Sequence, residues 1–320
     1  MATYKGIHGF KVQSLASDPS PAVEGQVWYN TTSNTLKLST QIGAWASGGA
    51  LNTARMELFG TGPGTAGMAV NGTPDGSDGA QVYLCETYDG TSWTEVANTD
   101  QRRQDGASAG VTTSALVTAG YTTSPRGNSS FTETFNGTAW TEETNITNGI
   151  QGRRGCGATE NASLIGAAGP SNNTELWNGS TWTELNNQNT NKNGRGMFGI
   201  STAAVAAGGN PGYVSNVESW DGTCWSEVND INEGRAYTAA AGIQTNGLMF
   251  GGNEPPATGL TETYDGTSWT EAGDLATARY YLAGGGTGTV AIAMGGTTPG
   301  ATGATEEWTV GPATQTVTVS

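Results

Sequence analysis

The sequence predicts an all-β chain, a six-bladed β-propeller with four antiparallel strands per blade, on three observations. The ten-residue phrase ETYDGTSWTE stands at 86–95 and again at 262–271, an offset of 262 − 86 = 176 residues, or four periods of 44. Related phrases fill the interval and follow it: ETFNGTAWTE (133–142), ELWNGSTWTE (175–184), ESWDGTCWSE (218–227) and a shortened EEWTVG (306–311). Tryptophans Trp45, Trp93, Trp140, Trp182, Trp225 and Trp269 recur at spacings of 48, 47, 42, 43 and 44. Last, 50 glycines in 320 residues and an apolar content of 35% suit many short strands joined by turns and oppose long helices. A period of 40 to 50 residues with four strands per unit is the signature of a propeller, because one such sheet cannot cover both its faces alone.

The elements of one unit follow in a fixed order. A polar segment ends in arginine: Arg55, Arg103, Arg154, Arg195, Arg235 or Arg279. A first strand of small residues comes next, such as AAAGI at 239–243, suited to the crowded axis. A second, apolar strand ends in Gly-Gly, as in GLMFGG at 247–252. A loop then leads to a third strand carrying glutamate: Glu86, Glu133, Glu175, Glu218, Glu262 or Glu306. Asp-Gly or Asn-Gly turns the chain into the fourth strand, which carries the tryptophan; this dipeptide is the strongest short hairpin signal. The last unit ends at Trp308 without a tryptophan strand of its own, and Trp45 has no first or second strand before it. The strand around Trp45 is therefore expected to complete the unit begun at Arg279, which removes an open sheet edge. VWYNTTSNTLKLS (27–39) reads as a further hairpin there, and TQTVTVS (314–320), alternating with period two, as a further strand. The expected division is an arm over 1–24, serving attachment, and a propeller over 25–320 that includes the closing N-terminal hairpin and the C-terminal strand.

Composition excludes several classes of function. The net charge of −15 repels phosphate backbones, so no nucleic-acid partner is expected. No apolar run approaches a membrane span, and no secretory h-region opens the chain. Cys85, Cys156 and Cys224 make neither a CxxC pair nor a metal spacing and read as small core fillers. No metal or cofactor is expected; DGSDG (75–79) is a weak cation candidate. With one histidine, His8, outside the repeats, no Ser-His-Asp set can form.

The diglycine after the second strand, the aromatic in the third and the spaced tryptophan in the fourth resemble kelch repeats over 45–308. Gly-Gly is replaced by Asn71-Gly72 and Gly169-Pro170 in two units. The opening GIHGFKVQSLASDPSPAVEGQVWYNTTSNTLKLS, followed by these repeats, is similar to virion structural proteins of marine tailed phages, in which the 27–37 segment precedes the propeller. The resemblance implies a non-enzymatic particle component, made in the bacterial host cytoplasm, located in the virion on tail or head, present in several copies and mediating host-surface attachment. Its implied partners are other virion proteins of the tail or capsid and a host-surface glycan. Two other readings stay open: a glycan-binding, lectin-like propeller, and a glycan hydrolase. Kelch-type propellers include galactose oxidase, whose two histidine ligands this chain cannot supply. Sialidases need three converging arginines, whereas arginine here recurs once per unit.

Each arginine has a glutamate to pair with, so the arginines read as structure rather than as an anion site. Loop variation falls on one face, in the segments between second and third strands and between successive units. Loops on a rigid scaffold are where binding tends to lie. Tyr121, Arg126, Tyr213, Asn186 and Asn189 are the binding-face candidates there.

Overall fold

The computed structural model describes residues 12–77, 79–123, 125–166, 169 and 171–317. Among them every regular element is a strand and none is a helix. Residues 1–11 of the expected arm, His8 included, Asp78 of the DGSDG motif and the last three residues of the 314–320 strand lie outside the described residues. The chain divides into two compact units, Met1–Gly43 with Val310–Ser320, and Ala44–Thr309. The hairpin over 27–39, expected within the propeller, belongs to the first of these.

In the first unit, Gln13–Leu15 pairs in parallel with Val27–Asn30, which pairs antiparallel with the beginning of Thr35–Ser47. Trp28 is fully buried, and its indole Nε1 donates to Asp18 Oδ1 at 2.9 Å. Asn30 Nδ2 donates to the same oxygen at 2.7 Å. These hydrogen bonds, Asn30's first, hold the Asp18 carboxyl below its usual range.

The second unit is β-propeller-like: a succession of four-stranded antiparallel sheets. Sheet 1 is Phe59–Thr61, Met68–Val70, Cys85–Tyr88 and Trp93–Glu95. Sheet 2 is Ala107–Val111, Ser114–Thr118, Thr132–Phe135 and Trp140–Glu142. Sheet 3 is Gly155–Gly157, Ser163–Ile165, Thr174–Trp177 and Trp182–Leu185. Sheet 4 is Gly196–Ile200, Ala203–Ala207, Val217–Trp220 and Trp225–Val228. Sheet 5 is Ala239–Ile243, Asn246–Phe250, Thr261–Tyr264 and Trp269–Glu271. In the last, sheet 6, Ala283–Gly286 and Val290–Met294 are followed by Thr305–Thr316, and the strand beside that is Thr35–Ser47. The strand bearing Trp45 thus occupies the fourth position of the repeat that begins after Arg279. Where the other repeats turn, Thr305–Thr316 continues unbroken, so both long strands run from one unit into the other.

The first strands neighbour one another in chain order, and Ala283–Gly286 of sheet 6 also lies against Phe59–Thr61 of sheet 1. Their glycines allow this approach. A Cβ on Gly60 would stand 2.5 Å from Ala283 Cβ, and one on Gly285 would stand 2.5 Å from the Gly62 carbonyl oxygen. The core is distributed between sheets rather than gathered at one centre. Phe59, Met68, Val70, Cys85, Val117 and Phe135 fill the space between sheets 1 and 2. Leu58, Tyr88, Trp93, Ile292 and Met294 do so between sheets 1 and 6. Cys85 and Cys156 are core fillers as expected, but Cys224 is exposed in a turn.

The Asp/Asn-Gly turns are longer than the two-residue hairpin that the dipeptide suggests. Tyr88 pairs with Trp93, leaving Asp89-Gly90-Thr91-Ser92 between them. Only Gly90 has positive φ, at 91°. Asp89 acts through its side chain, Oδ1 accepting the N–H groups of Thr91 and Ser92 at 2.8 Å each. Asn136, Asn178, Asp221 and Asp265 repeat this capping. The turn places two aromatics side by side: Tyr88 with Trp93 at 5.1 Å, Trp220 with Trp225 at 5.5 Å, Tyr264 with Trp269 at 4.7 Å. Trp308 and Trp45 form the same pair at 5.5 Å, although 263 residues separate them (308 − 45). The fourth-strand indoles also bind the preceding sheet: Trp45 Nε1 donates to Thr261 Oγ1, Trp93 to Thr305 and Trp225 to Thr174, each at 2.9 Å.

A buried ion pair recurs in every repeat. Arg55 meets Glu86 at 2.7 Å, Arg195 meets Glu218 at 2.7 Å, Arg235 meets Glu262 at 2.5 Å and Arg279 meets Glu306 at 2.6 Å; Arg103 meets Glu133 likewise. In the third repeat the expected Arg154 is not the partner. Arg153 reaches Glu175 at 2.9 Å, and Arg154 turns away to Asp105 at 3.0 Å. Arg154 stands immediately before its first strand, as Arg195 does, whereas Arg55, Arg103, Arg235 and Arg279 stand four residues before theirs. The buried site is therefore reached from different chain positions, and counting along the sequence selects the wrong arginine of the doublet.

Each glutamate does more than pair with arginine. It also accepts backbone N–H groups of the segment that crosses from the preceding sheet: Asn52 on Glu86 at 2.8 Å, Thr147 on Glu175 at 3.0 Å, Asn232 on Glu262 at 2.8 Å, Ala276 on Glu306 at 2.6 Å. The arginines in turn donate to strand carbonyls, as Arg235 does to Gly251 at 3.2 Å. Removing one partner of such a pair leaves a buried charge uncompensated. Arg235→Ala is expected to lower unfolding stability in urea by about 3–5 kcal/mol, and Arg235→Met with Glu262→Leu by clearly less, because the charge is then removed with its partner.

Candidate functional site

Residues of all six first strands contribute to the lining of a cavity of about 350 Å³, near the lower end of the range for small-molecule sites. Its wall is mostly backbone, glycine and alanine, with Arg154 among its few charged side chains. Leu58, Gly106, Thr238 and Leu282 line one end. The residue before each of them, Glu57, Asp105, Tyr237 or Tyr281, is outside that lining and marks the mouth, where the chain enters the first strands.

These four share an unusual backbone. Their φ values are 54°, 51°, 57° and 52°, in the left-handed region that non-glycine residues seldom adopt. Glycines Gly152 (φ 84°) and Gly194 (φ 62°) take the corresponding place in the third and fourth repeats. Main-chain hydrogen bonds link this position from repeat to repeat. Glu57 N–H donates to Tyr281 at 2.9 Å, Asp105 to Glu57 at 2.8 Å and Gly152 to Asp105 at 2.7 Å. Tyr237 donates to Gly194 at 2.7 Å and Tyr281 to Tyr237 at 3.0 Å. Positive φ at non-glycine residues costs free energy and clusters where a side chain is needed.

The side chains form one polar and aromatic group. Asp105 is paired with Arg154, both half-buried. Gln104 Nε2 donates to Glu57 Oε2 at 2.6 Å, Gln81 Nε2 to Gln104 Oε1 at 2.7 Å, and Thr123 Oγ1 to Gln81 Oε1 at 2.9 Å. The Tyr237 and Tyr281 rings lie 4.4 Å apart, and Tyr280 stacks on Tyr281 at 5.1 Å. Asn210 Nδ2 donates to the Tyr237 hydroxyl at 3.0 Å. Burial, then the charge of Asp105, pushes the Glu57 carboxyl up to about 7; Arg154 and Gln104 oppose the shift. Burial and the nearby charge of Asp105 also raise Tyr281.

The candidates read from sequence divide into three groups. Tyr121 and Arg126 lie in the paired strands Tyr121–Thr123 and Arg126–Asn128, opposite Asn128 and Thr123 respectively, and Arg126 Nε donates to the Tyr121 hydroxyl at 2.8 Å. Tyr121 also exchanges main-chain hydrogen bonds with Gln104, which brings this hairpin to the mouth. Tyr213, with φ 48°, receives Asn253 Nδ2 on its hydroxyl at 3.4 Å. Asn186 and Asn189 serve the scaffold: Asn186 Nδ2 donates to the Thr223 carbonyl, and Asn189 donates its N–H to Glu218 at 2.6 Å and its Nδ2 to the Trp225 carbonyl. Both lie on the crossing segment that is laid along the fourth strand of sheet 4. Sequence reasoning missed Glu57, Gln104, Asp105, Tyr237 and Tyr281. The available signal was a position two residues after the buried arginine, where a fixed motif holds Glu, Asp, Tyr and Tyr.

Among the described residues no cluster of three or more His, Cys, Asp or Glu could hold a metal ion, and no helix is long and apolar enough to cross a membrane. No protein-family model matches the chain, and no curated protein matches it.

The mouth carboxyl gives a pH signature. Glu57 binds its proton more tightly folded than unfolded, where its value is near 4.5. Its contribution to stability is therefore full below about pH 4.5 and is lost as pH rises through about 7. Asp105, Arg154 and Tyr281 are the charged and titratable groups that interact with it. Thermal melts of Glu57→Gln should equal the parent protein at pH 5 and exceed it at pH 8.

Proposed function

We propose that the chain is a non-enzymatic structural protein of a tailed-phage virion, displayed on tail or head and attaching the particle to the host surface. The second unit is read as a six-bladed β-propeller whose ring is closed by the strand around Trp45. The order of neighbouring first strands, with sheet 6 against sheet 1, supports the ring. So does the Trp93 indole bonded to Thr305 across that junction.

One observation carries the structural role. Two long strands, Thr35–Ser47 and Thr305–Thr316, run side by side from the first unit into the second. A continuous ladder of main-chain hydrogen bonds between two long strands suits a structural component. The similarity of the opening segment to phage virion proteins supplies the context. The tyrosines, amides and carboxyls clustered where the chain enters the cavity-lining strands favour saccharide recognition as the means of attachment, the lectin-like reading, over turnover.

Antibody labelling of purified virions, imaged by electron microscopy, tests the proposal. Label confined to the tail or spread over the head is expected. Particles that carry no label, while the protein stays in the lysate supernatant, would contradict it.

A further inference from the structure

We propose that the cavity mouth binds one ring of an uncharged saccharide, with Tyr237 and Tyr281 against its C–H face and Glu57, Asp105 and Gln104 bonded to its hydroxyls. The inference rests on the glycan-attachment part of the proposed function and names its site and ligand class.

The backbone supplies the first reason. Gly152 and Gly194 show that glycine serves at this position, where φ is positive in all six repeats. Four repeats nevertheless carry Glu, Asp, Tyr and Tyr there, each with a conformational cost that glycine avoids. The buried Arg–Glu pairs and the main-chain links require none of these side chains. What they build is a polar and aromatic cluster where the chain enters the strands that line a cavity of about 350 Å³.

The chemistry of that cluster selects the ligand. Aromatic rings offer flat apolar faces with a negative quadrupole, which suit the axial C–H groups of a pyranose. Amides and carboxyls beside them bond equatorial hydroxyls. Anionic sugars and phosphates are disfavoured, because the Arg154 guanidinium is already committed to Asp105 at 3.0 Å and the other acid there is Glu57. A cation is disfavoured because Arg154 occupies one carboxylate and Gln104 donates to the other at 2.6 Å.

Two variants probe the site without attacking the scaffold. Tyr237→Gly installs the residue that two repeats already use, and Glu57→Gln keeps size and hydrogen-bonding capacity while changing the acceptor set. The full chain is titrated, by calorimetry and saturation-transfer NMR, with maltohexaose, cellohexaose, chitohexaose and mannohexaose as neutral probes. Sialyllactose and trigalacturonate serve as acidic ones. At least one neutral probe should bind, acidic probes at least tenfold more weakly, and Tyr237→Gly should lose at least tenfold in affinity with its cooperative melt retained. Glu57→Gln should weaken binding at pH 8 more than at pH 5. Neutral binding unchanged in both variants would overturn the site while leaving glycan attachment standing, with the Tyr121 and Tyr213 loops as its place. Preference for the acidic probes would overturn the ligand class. No binding to any probe would overturn the site and the glycan reading together, while virion labelling would remain an independent result. Release of free sugar from a probe would replace binding with hydrolysis.

Discussion

The structure depends on a carboxylate buried in the third strand of each repeat. It receives an arginine and the backbone N–H groups of the segment arriving from the preceding sheet, so one side chain settles where a sheet ends and how the next begins. Apolar burial between sheets is non-directional and does not by itself select which segment meets which sheet. Directional bonds to buried charge supply what area does not, and their strict geometry fixes which segment meets which sheet. Such a pair adds little stability over an apolar replacement of similar shape, and its value lies in specifying the arrangement.

That lock leaves the first strands free to be built from small residues. Because the crossing segments are anchored beside the third strands, the first strands can be short, glycine-rich and close enough to touch backbone to backbone. The chain must then turn sharply to enter each first strand, and the left-handed residue before it makes the turn. Main-chain bonds between successive turns gather their side chains at one mouth. The scaffold thus creates a position that takes glycine in two repeats and a polar or aromatic side chain in four. Four repeats place Glu, Asp, Tyr and Tyr there, and burial with the charge of Asp105 perturbs two of them, Glu57 and Tyr281, a combination expected of a working site.

The repeat itself is legible in the sequence because Trp, Glu, Arg and Asx-Gly each perform one physical task per unit. The place of the strand around Trp45 is legible for the same reason: a tryptophan without its own first strands and a set of strands without a tryptophan imply each other. Arg153 was not legible, since an Arg-Arg doublet gives two candidates and only the path of the chain decides. Nor was the capping role of Asp89 and its counterparts, which the Asp-Gly dipeptide disguises as a shorter turn. Asn186 and Asn189 look like loop residues by composition, yet they are committed to the next sheet. The mouth residues escape detection because a pattern search retains what repeats, and Glu57, Asp105, Tyr237 and Tyr281 do not repeat in chemistry, only in backbone conformation.

Amide hydrogen exchange on the intact chain tests the central claim most directly. The N–H groups of Asn52, Thr147, Asn232 and Ala276 lie in irregular crossing segments, where loop amides ordinarily exchange through local fluctuation. If the buried glutamates hold these segments, those amides will exchange only with global unfolding, at the rates of the second and third strands. Exchange at the rates of the exposed Asp-Gly turns would mean that the sheets are joined by slack connections, and would contradict the role of the buried glutamates as the locks between repeats.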